Sequence, residues 1–342
     1  MMKEEFHLGG RIRSFPEDFV VEEVWDDRIC RVNYSPIECF RDKILVGLKK
    51  KNEYLHFTLV KKNWETIRAL NFIRKKIHVS LRRFGISGMK DKRAYTAQRV
   101  SLWSGKWETV SALRLPEILL KEFSYCERRI TLGNAVGNQF TITIRDILKS
   151  KNEILELISK FKEFVCYQGV PNLFGPQRLG GDNAAIGAAI KSGNLQEGVE
   201  LILKKVKPFL KNGGIEKIPD VFWYEKRLLN HLNKNPKDYA GALRKIPKRI
   251  LRLYTHSYQA NIFNEKLNRL LNDGEVPNSI TIPGFTVIKM PELRTIPIER
   301  ECFLKPIDFK IVKARDGLVI LKFTLGRGKY ASTLLSHLGC SE

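Results

Sequence analysis

Residues 88–98 have the sequence Gly88-Met89-Lys90-Asp91-Lys92-Arg93-Ala94-Tyr95-Thr96-Ala97-Gln98. The segment places one carboxylate, that of Asp91, among basic side chains on a predicted loop. A basic surface draws polyanions towards it, so Asp91 is a candidate nucleophile for a reaction on RNA. A glycine followed by mixed charges is also typical of a solvated turn, and this segment alone does not separate the two interpretations.

The composition favours a nucleic-acid partner. The chain has 342 residues, of which 60 are Lys or Arg and 37 are Asp or Glu, and its net charge of +23 is not gathered in one tail. Thermophilic surfaces are also rich in charge, but they usually balance the two signs. A chain of this length predicts two domains. Glu4, Glu5 and His7 stand where a signal peptide needs an apolar core, and no apolar run is long enough for a membrane span, so we expect a cytoplasmic protein.

The cysteines and histidines predict neither a metal site nor a disulfide framework. The six cysteines are scattered without a C-x-x-C pair, and the six histidines form no ligand spacing with them. The glycine motifs of dinucleotide-binding and P-loop proteins are absent as well. We therefore expect no metal and no small-molecule cofactor.

Hydrophobic periodicity predicts a sheet domain followed by a helix-rich segment. Helical periods occur at 64–79 and 154–165, and several more helices follow the Gly-, Pro- and Asn-rich loops after residue 169. The late strand at 318–325 needs neighbours from the first part of the chain. We therefore predict a discontinuous catalytic domain of residues 1–168 plus 296–342, interrupted by an insertion of residues 169–295. Further strands are predicted at 19–25, 43–46, 54–60, 84–87, 96–103, 124–132, 139–147 and 279–289.

Six segments, spread along the chain, match short sequence motifs. Residues 88–98 are similar to G-x-K-D-x-x-A-x-T-x-Q, and residues 16–23 to P-x-D-F-x-V-x-E. Residues 137–140 resemble G-N-x-F, 171–180 resemble P-N-Y-F-G-x-Q-R-F-G, 257–264 resemble S-x-Q-S-x-x-F-N and 323–335 resemble F-x-L-P-x-G-x-Y-A-T-x-L-L. Together these segments resemble the motifs of the TruD family of tRNA pseudouridine synthases. The chain departs from these patterns at Leu173, Leu179, Ala260, Gly326, Ser332 and Ser336.

The resemblance implies a fold, an activity and a set of site residues. The fold is the α+β pseudouridine-synthase catalytic domain with a mostly antiparallel sheet, interrupted by a helix-rich TruD insertion domain. The activity is the isomerisation of a tRNA uridine, at position 13, to pseudouridine, with Asp91 as nucleophile or base. The residues implied in substrate binding are Arg13, Phe19, Lys90, Asn138, Phe140, Gln177 and Arg178.

Three of these residues also have other interpretations. Arg13 would orient Asp91 through charge-assisted hydrogen bonds, or it would bind phosphate. Phe140 would stack on the uracil, or it would pack in the core with the isoleucines whose face it shares. Asn138 would hold its loop or the edge of the base, or it would serve only turn chemistry before a strand.

The alternative for the whole chain is a basic RNA-binding or RNA-folding protein without catalysis. Asp91 separates the two hypotheses, because a pure binder gains nothing from a carboxylate at the centre of its phosphate-binding surface. A nuclease would need clustered acids or a pair of histidines, and neither stands out. The sequence leaves open whether Asp91 adds covalently or removes a ribose proton, and it indicates no oligomeric state.

Overall fold

A computed structural model describes residues 6–33, 35, 52–175, 179–211 and 214–341. The strand predicted at 43–46 and the predicted site residues Gln177 and Arg178 lie outside the described residues. The chain forms two compact units. One, the insertion unit, consists of Pro171–Phe303, and the other, the sheet unit, consists of the chain on either side of that segment.

The sheet unit is built on one eight-stranded sheet. The described strands are β1 (Phe19–Val24), β2 (Tyr54–Lys62), β3 (Phe84–Ile86), β4 (Tyr95–Trp103), β5 (Ile118–Cys126), β6 (Gly137–Ile144), β7 (Val170–Pro171), β8 (Ser279–Ile282), β9 (Ile298–Glu301), β10 (Phe303–Leu304), β11 (Ile307–Arg315) and β12 (Leu318–Gly326). Seven strands of the sheet follow the order β11-β12-β6-β1-β4-β2-β5, and β3 pairs with β4. Among the described pairs of this sheet, β1 and β4 are parallel and the others are antiparallel. The predicted α+β class with a mostly antiparallel sheet is confirmed.

Helices pack against one side of the sheet, which we call the front face. The described α-helices are α1 (Thr66–Lys76), α2 (Trp107–Ser111), α3 (Lys151–Tyr167), α4 (Asn183–Ser192), α5 (Leu195–Leu203), α6 (Lys207–Lys211), α7 (Trp223–Lys234), α8 (Tyr239–Leu243), α9 (Lys248–Asp273) and α10 (Ala331–Ser336). α1 buries Leu70 and Ile73 in an apolar cluster with residues of β2 and β4. α3 buries Ile158 and Phe161 in a second cluster with residues of β1, β6 and β12.

Buried polar side chains lie between these two apolar clusters. In the register of the sheet Val21 pairs with Thr96, and Thr96 pairs with Lys61. Paired residues share a face, and so do residues two positions further along each strand, which here are Glu23 and Gln98. Lys61, Thr96, Gln98 and Glu23 are all fully buried. We call these four residues the polar strip of the front face.

The insertion unit uses its own motif residues to hold its backbone together. The side chain of Asn172 accepts a hydrogen bond from Arg300 at 2.6 Å and donates to the carbonyl oxygen of Glu301 at 3.0 Å. The side chain of Asn264 accepts from the backbone N–H of Phe174 at 2.8 Å and donates to its carbonyl oxygen at 2.9 Å. These motif positions therefore have a structural role within the unit. Across the described ranges, no helix is long and apolar enough to cross a bilayer.

Candidate active site

Asp91 lies on the loop of residues 87–94, which connects β3 to β4. The loop backbone is tied to the polar strip and to the first turn of α1. Gln98 donates from Nε2 to the carbonyl oxygen of Gly88 at 2.9 Å, and the N–H of Lys90 donates to Oγ1 of Thr66 at 3.1 Å. The Thr66 hydroxyl in turn donates to Oε1 of Gln98 at 3.0 Å. These bonds fix the path of the loop up to Asp91.

Lys61 fixes the backbone at Asp91 itself. Its side chain is fully buried, and Nζ donates to the carbonyl oxygens of Trp64 at 2.7 Å and Asp91 at 2.8 Å. Burial lowers the pKa of Lys61 to about 8, although the nearby Asp91 carboxylate acts in the opposite direction. A buried ammonium is tolerated only when its hydrogen bonds are made, so Lys61 and the loop carbonyls satisfy one another.

Lys90 points into the protein, towards Glu23. Its Nζ lies 2.6 Å from Oε1 of Glu23, whose side chain is fully buried. The same carboxylate accepts hydrogen bonds from the Ser87 hydroxyl at 2.5 Å, the Trp25 indole at 2.9 Å and the Arg99 backbone N–H at 2.9 Å. A buried carboxylate requires such partners. Lys90 therefore joins the loop to β1, and its contact with the substrate stays a prediction.

Arg13 meets the Asp91 carboxylate from the N-terminal segment. Its Nη2 lies 3.2 Å from Oδ2 of Asp91, and the two side chains are 16% and 33% exposed. The guanidinium carbon also lies 4.0 Å from the centre of the Phe19 ring. Arg13 has a φ of +61°, a left-handed conformation that costs a non-glycine residue about 1–2 kcal/mol and is frequent at functional sites. Asp91, Arg13 and Phe19 are thus brought together, with part of the carboxyl group open to solvent.

Phe140 lies in the core beneath this group. The ring is 6% exposed, packs edge to face with Phe19 at 6.1 Å and stacks on Phe323 at 5.6 Å between ring centres. These contacts agree with the packing interpretation for the free protein. Stacking of Phe140 on a bound uracil stays a prediction.

We expect Phe140→Ala to destabilise the sheet unit, because deleting a buried Phe side chain costs about 3–5 kcal/mol. Chemical denaturation followed by circular dichroism measures the loss. Phe140→Leu retains most of the apolar contacts and should lose less. Leu148→Ala is the control, since Leu148 is 98% exposed and its truncation should change the free energy of unfolding by less than about 0.5 kcal/mol. An Ala variant as stable as the wild type would show that the ring is not part of the core.

Asn138 lies on the front face, where it pairs with Glu23 of β1 and Leu325 of β12. Within the part of the chain that the structure describes, its Oδ1 atom is buried and accepts no hydrogen bond. The predicted contact of this atom with a base edge would require it to become accessible when RNA binds. That contact stays a prediction, as do the RNA contacts of Gln177 and Arg178.

Sequence reasoning missed Lys61 and Thr66, which hold the Asp91 loop from β2 and α1. A signal for Lys61 was present. Leu55, Phe57 and Leu59 are the buried apolar residues of the front face of β2, and Lys61 is the next position on that face. A lysine at a buried position of a strand indicates a specific hydrogen-bonding task. Thr66 gave no comparable signal, because a Thr at the start of a helix is common.

A comparison with known protein families assigns this chain to one of them. A family model described as tRNA pseudouridine synthase D (TruD) matches residues 2–281. The chain belongs to the TruD family. The resemblance found in the sequence motifs is therefore confirmed.

Individual relatives agree with this assignment. A Methanosarcina acetivorans protein described as a probable tRNA pseudouridine synthase D is 31% identical over 287 residues, which cover 78% of this chain and 61% of the relative. The chain thus spans about three fifths of the length of that relative. A Methanocaldococcus jannaschii protein of similar description is 29% identical, with 96% of this chain and 95% of the relative covered. A Methanosarcina mazei TruD crystal structure shares the fold, with a TM-score of 0.71, 24% identity and coverage of 98% and 94%.

Proposed function

We propose that this chain isomerises a uridine of tRNA, at position 13, to pseudouridine, with Asp91 as the nucleophile or base. The observation that carries the proposal is the placement of Asp91. Its carboxyl group is partly open to solvent and lies within 3.2 Å of the Arg13 guanidinium, while its loop is fixed by buried groups. Such preorganisation is what a reacting group requires. Membership of the TruD family supports the reaction and the substrate class.

The reaction rearranges bonds without a change in oxidation state. The bond between N1 of uracil and C1′ of ribose breaks, and C1′ is joined to C5 of the turned base. The hydrogen on C5 leaves as a proton, and N1 gains a proton. Asp91 would either add covalently to the nucleoside or remove a ribose proton to give a glycal. In both routes the Arg13 guanidinium would hold the orientation of the carboxylate through a charge-assisted hydrogen bond.

The partner in this proposal is tRNA, and the reaction takes place in the cytoplasm. A stacked or paired uridine must be flipped out before Asp91 can reach it. Lys92 and Arg93 are exposed beside Asp91 and could bind phosphates on either side of the flipped nucleotide. Residues 169–295 would form the insertion domain, from which Gln177 and Arg178 would reach RNA.

The test is tritium release from tRNA transcripts labelled at C5 of uridine, because carbon–carbon bond formation expels that hydrogen. We expect release by the purified protein with EDTA present and nothing else added. A transcript with cytidine at position 13 should give none above background. Release from the cytidine-13 transcript at the normal rate would refute the assignment of position 13. Absence of release from every transcript would refute the proposed activity.

A further inference from the structure

One side of α1 carries an alternation of aromatic and basic residues that the site described above does not use. Trp64, just before the helix, is followed by Arg68, Phe72 and Lys76 at intervals of four residues, which place Arg68, Phe72 and Lys76 on one side of a helix. The rings of Trp64 and Phe72 stack with their centres 5.5 Å apart, Arg68 lies 5.5 Å from the Trp64 ring and Lys76 lies 6.0 Å from the Phe72 ring. We call these four residues the α1 stripe.

The α1 stripe is accessible from solvent. The helix buries another set of residues, Thr66, Ala69, Leu70 and Ile73. Arg68 and Lys76 are exposed, and Trp64 and Phe72 are half-buried. Two aromatic rings and two cations are therefore accessible from solvent along one side of α1.

The charge of α1 differs from that of a helix that only meets water. α1 has four basic residues and no acidic residue within Thr66–Lys76. α3 has three lysines and three glutamates, and its Lys160 pairs with Glu156 at 2.7 Å. Balanced signs with such pairs are usual for solvated helices, because like charges on one side repel. The uncompensated cations of α1 are complementary to a polyanion.

The α1 stripe begins next to the Asp91 loop. The carbonyl oxygens of Trp64 and Asp91 are both bonded to Nζ of Lys61. From there α1 extends for about 16 Å, the length of 11 residues at 1.5 Å each. The N-terminal end of the stripe therefore lies near the backbone of the candidate nucleophile.

We propose that the α1 stripe is the track for the RNA strand next to the target uridine, with bases on Trp64 and Phe72 and phosphates on Arg68 and Lys76. Aromatic rings that stack bases, together with cations that bind the backbone, are the means by which proteins hold single-stranded RNA without reading its sequence. The inference rests on the proposed function, since it names the path by which RNA reaches Asp91. An acidic protein segment would use the cations but would gain little from the paired rings.

The first experiment compares Arg68→Ala/Lys76→Ala with Lys151→Ala/Lys162→Ala. Both double variants remove two exposed positive charges, the first from α1 and the second from α3. We expect the α1 variant to lower the slope of log affinity for tRNA against log salt by roughly 1.4, which is two contacts at about 0.7 each for single strands. The α3 variant should change the slope by less than half of that. Equal slopes for the two variants would overturn the proposal.

The second experiment compares Phe72→Ala with Phe72→Tyr. The Ala variant should bind tRNA about tenfold more weakly, which is within the effect of losing one base stack, and the Tyr variant should bind like the wild type. In turnover assays the loss should appear in KM and not in kcat. Should Phe72→Ala unfold, the charge variants alone decide the question.

Two controls separate this inference from others. If the Arg68→Ala/Lys76→Ala variant shows the expected smaller salt slope but the wild type isomerises no uridine, the proposed activity fails and binding of RNA along the α1 stripe stands. If the wild type is active and the α1 variants have normal KM values, the track fails and the activity stands.

Binding of oligouridine and of polyglutamate is measured with the same variants. A loss confined to polyglutamate would identify an acidic protein segment as the occupant and overturn the proposal.

Discussion

Replacement of Asp91 by Asn should abolish pseudouridine formation while tRNA binding survives. The substitution keeps the size of the side chain and removes its charge, so a reaction that uses the carboxylate as nucleophile or base should slow by at least about a thousandfold. Affinity for tRNA should stay the same or rise slightly, because a negative charge has left a basic surface. Tritium release measures the chemistry, and filter binding at fixed salt measures the affinity.

Asp146→Asn is the matched control. Asp146 is also a surface aspartate paired with an arginine, since its Oδ2 lies 2.5 Å from Nη2 of Arg11 and the carboxyl side chain is 56% exposed. It should retain wild-type turnover. Mass spectrometry must exclude deamidation of the introduced asparagine back to aspartate. Substantial turnover by a chemically intact Asp91→Asn variant would remove Asp91 from the reaction and leave the motif as a charged turn.

The sequence predicted the middle strands of the sheet well. β1, β2, β4 and β6 each begin and end within three residues of the predicted bounds. β1, β2 and β6 are apolar at most of their front-face positions and β4 is apolar at Val100 and Leu102, so the alternation of period two is clear. Where polar or charged residues interrupt the apolar pattern of a strand, hydrophobic periodicity predicts its bounds less accurately.

β5 shows this effect, because it was expected at 124–132 and lies at Ile118–Cys126. Lys121 and Glu122 interrupt its apolar pattern. Lys121 is nevertheless buried, with Nζ donating to the carbonyl oxygen of Asn33 at 2.8 Å, and Glu122 has a φ of +52° where the register with β2 shifts. A buried lysine and a bulge both depend on the neighbouring strand. Neither can be read from the strand alone.

β11 was missed for a different reason. It lies at the edge of the sheet, and its residues Lys310, Lys313 and Arg315 keep the apolar pattern weak. Charged residues are usual on edge strands because they discourage pairing with other chains. The strand therefore looks like a loop in the sequence, although β12 beside it was found.

The sequence motifs predict the residues of the candidate site and one of the contacts between them. Asp91 with Arg13 follows from the resemblance and agrees with the 3.2 Å contact between them. The contact of Lys90 with buried Glu23 joins residues 67 positions apart, and only the paired strands bring them together. A local pattern predicts which residues carry chemistry, whereas the register of the sheet determines which of them meet.

Lys61→Met should lower kcat by roughly a hundredfold, which is the effect expected when a reacting group is misplaced by about 1 Å. Methionine fills a similar volume, but it cannot donate to the carbonyl oxygens of Trp64 and Asp91. The Asp91 loop should therefore loosen while the sheet unit stays folded. Single-turnover rates at saturating tRNA give kcat, and thermal unfolding monitors the fold. Lys62→Met is the matched control, because Lys62 is next in sequence, points to the other side of β2 and pairs with Glu17.

The pH profile distinguishes this positioning role from a general loss of structure. Burial lowers the pKa of Lys61 to about 8, and Asp91, Lys90 and Glu65 are the charged groups that act on it. As pH rises through about 8, wild-type kcat should fall, because a neutral amine has one donor fewer and no charge.

Unfolding linked to the titration of Lys61 cannot explain that fall in kcat. The folded state releases this proton at a lower pH than the unfolded chain, whose lysine pKa is about 10.4, so between these values the contribution of Lys61 to stability rises with pH. Lys61→Met should lack the fall near pH 8, and Lys62→Met should retain it. A Lys61→Met variant with wild-type kcat and an unchanged profile would show that the buried ammonium does not position Asp91.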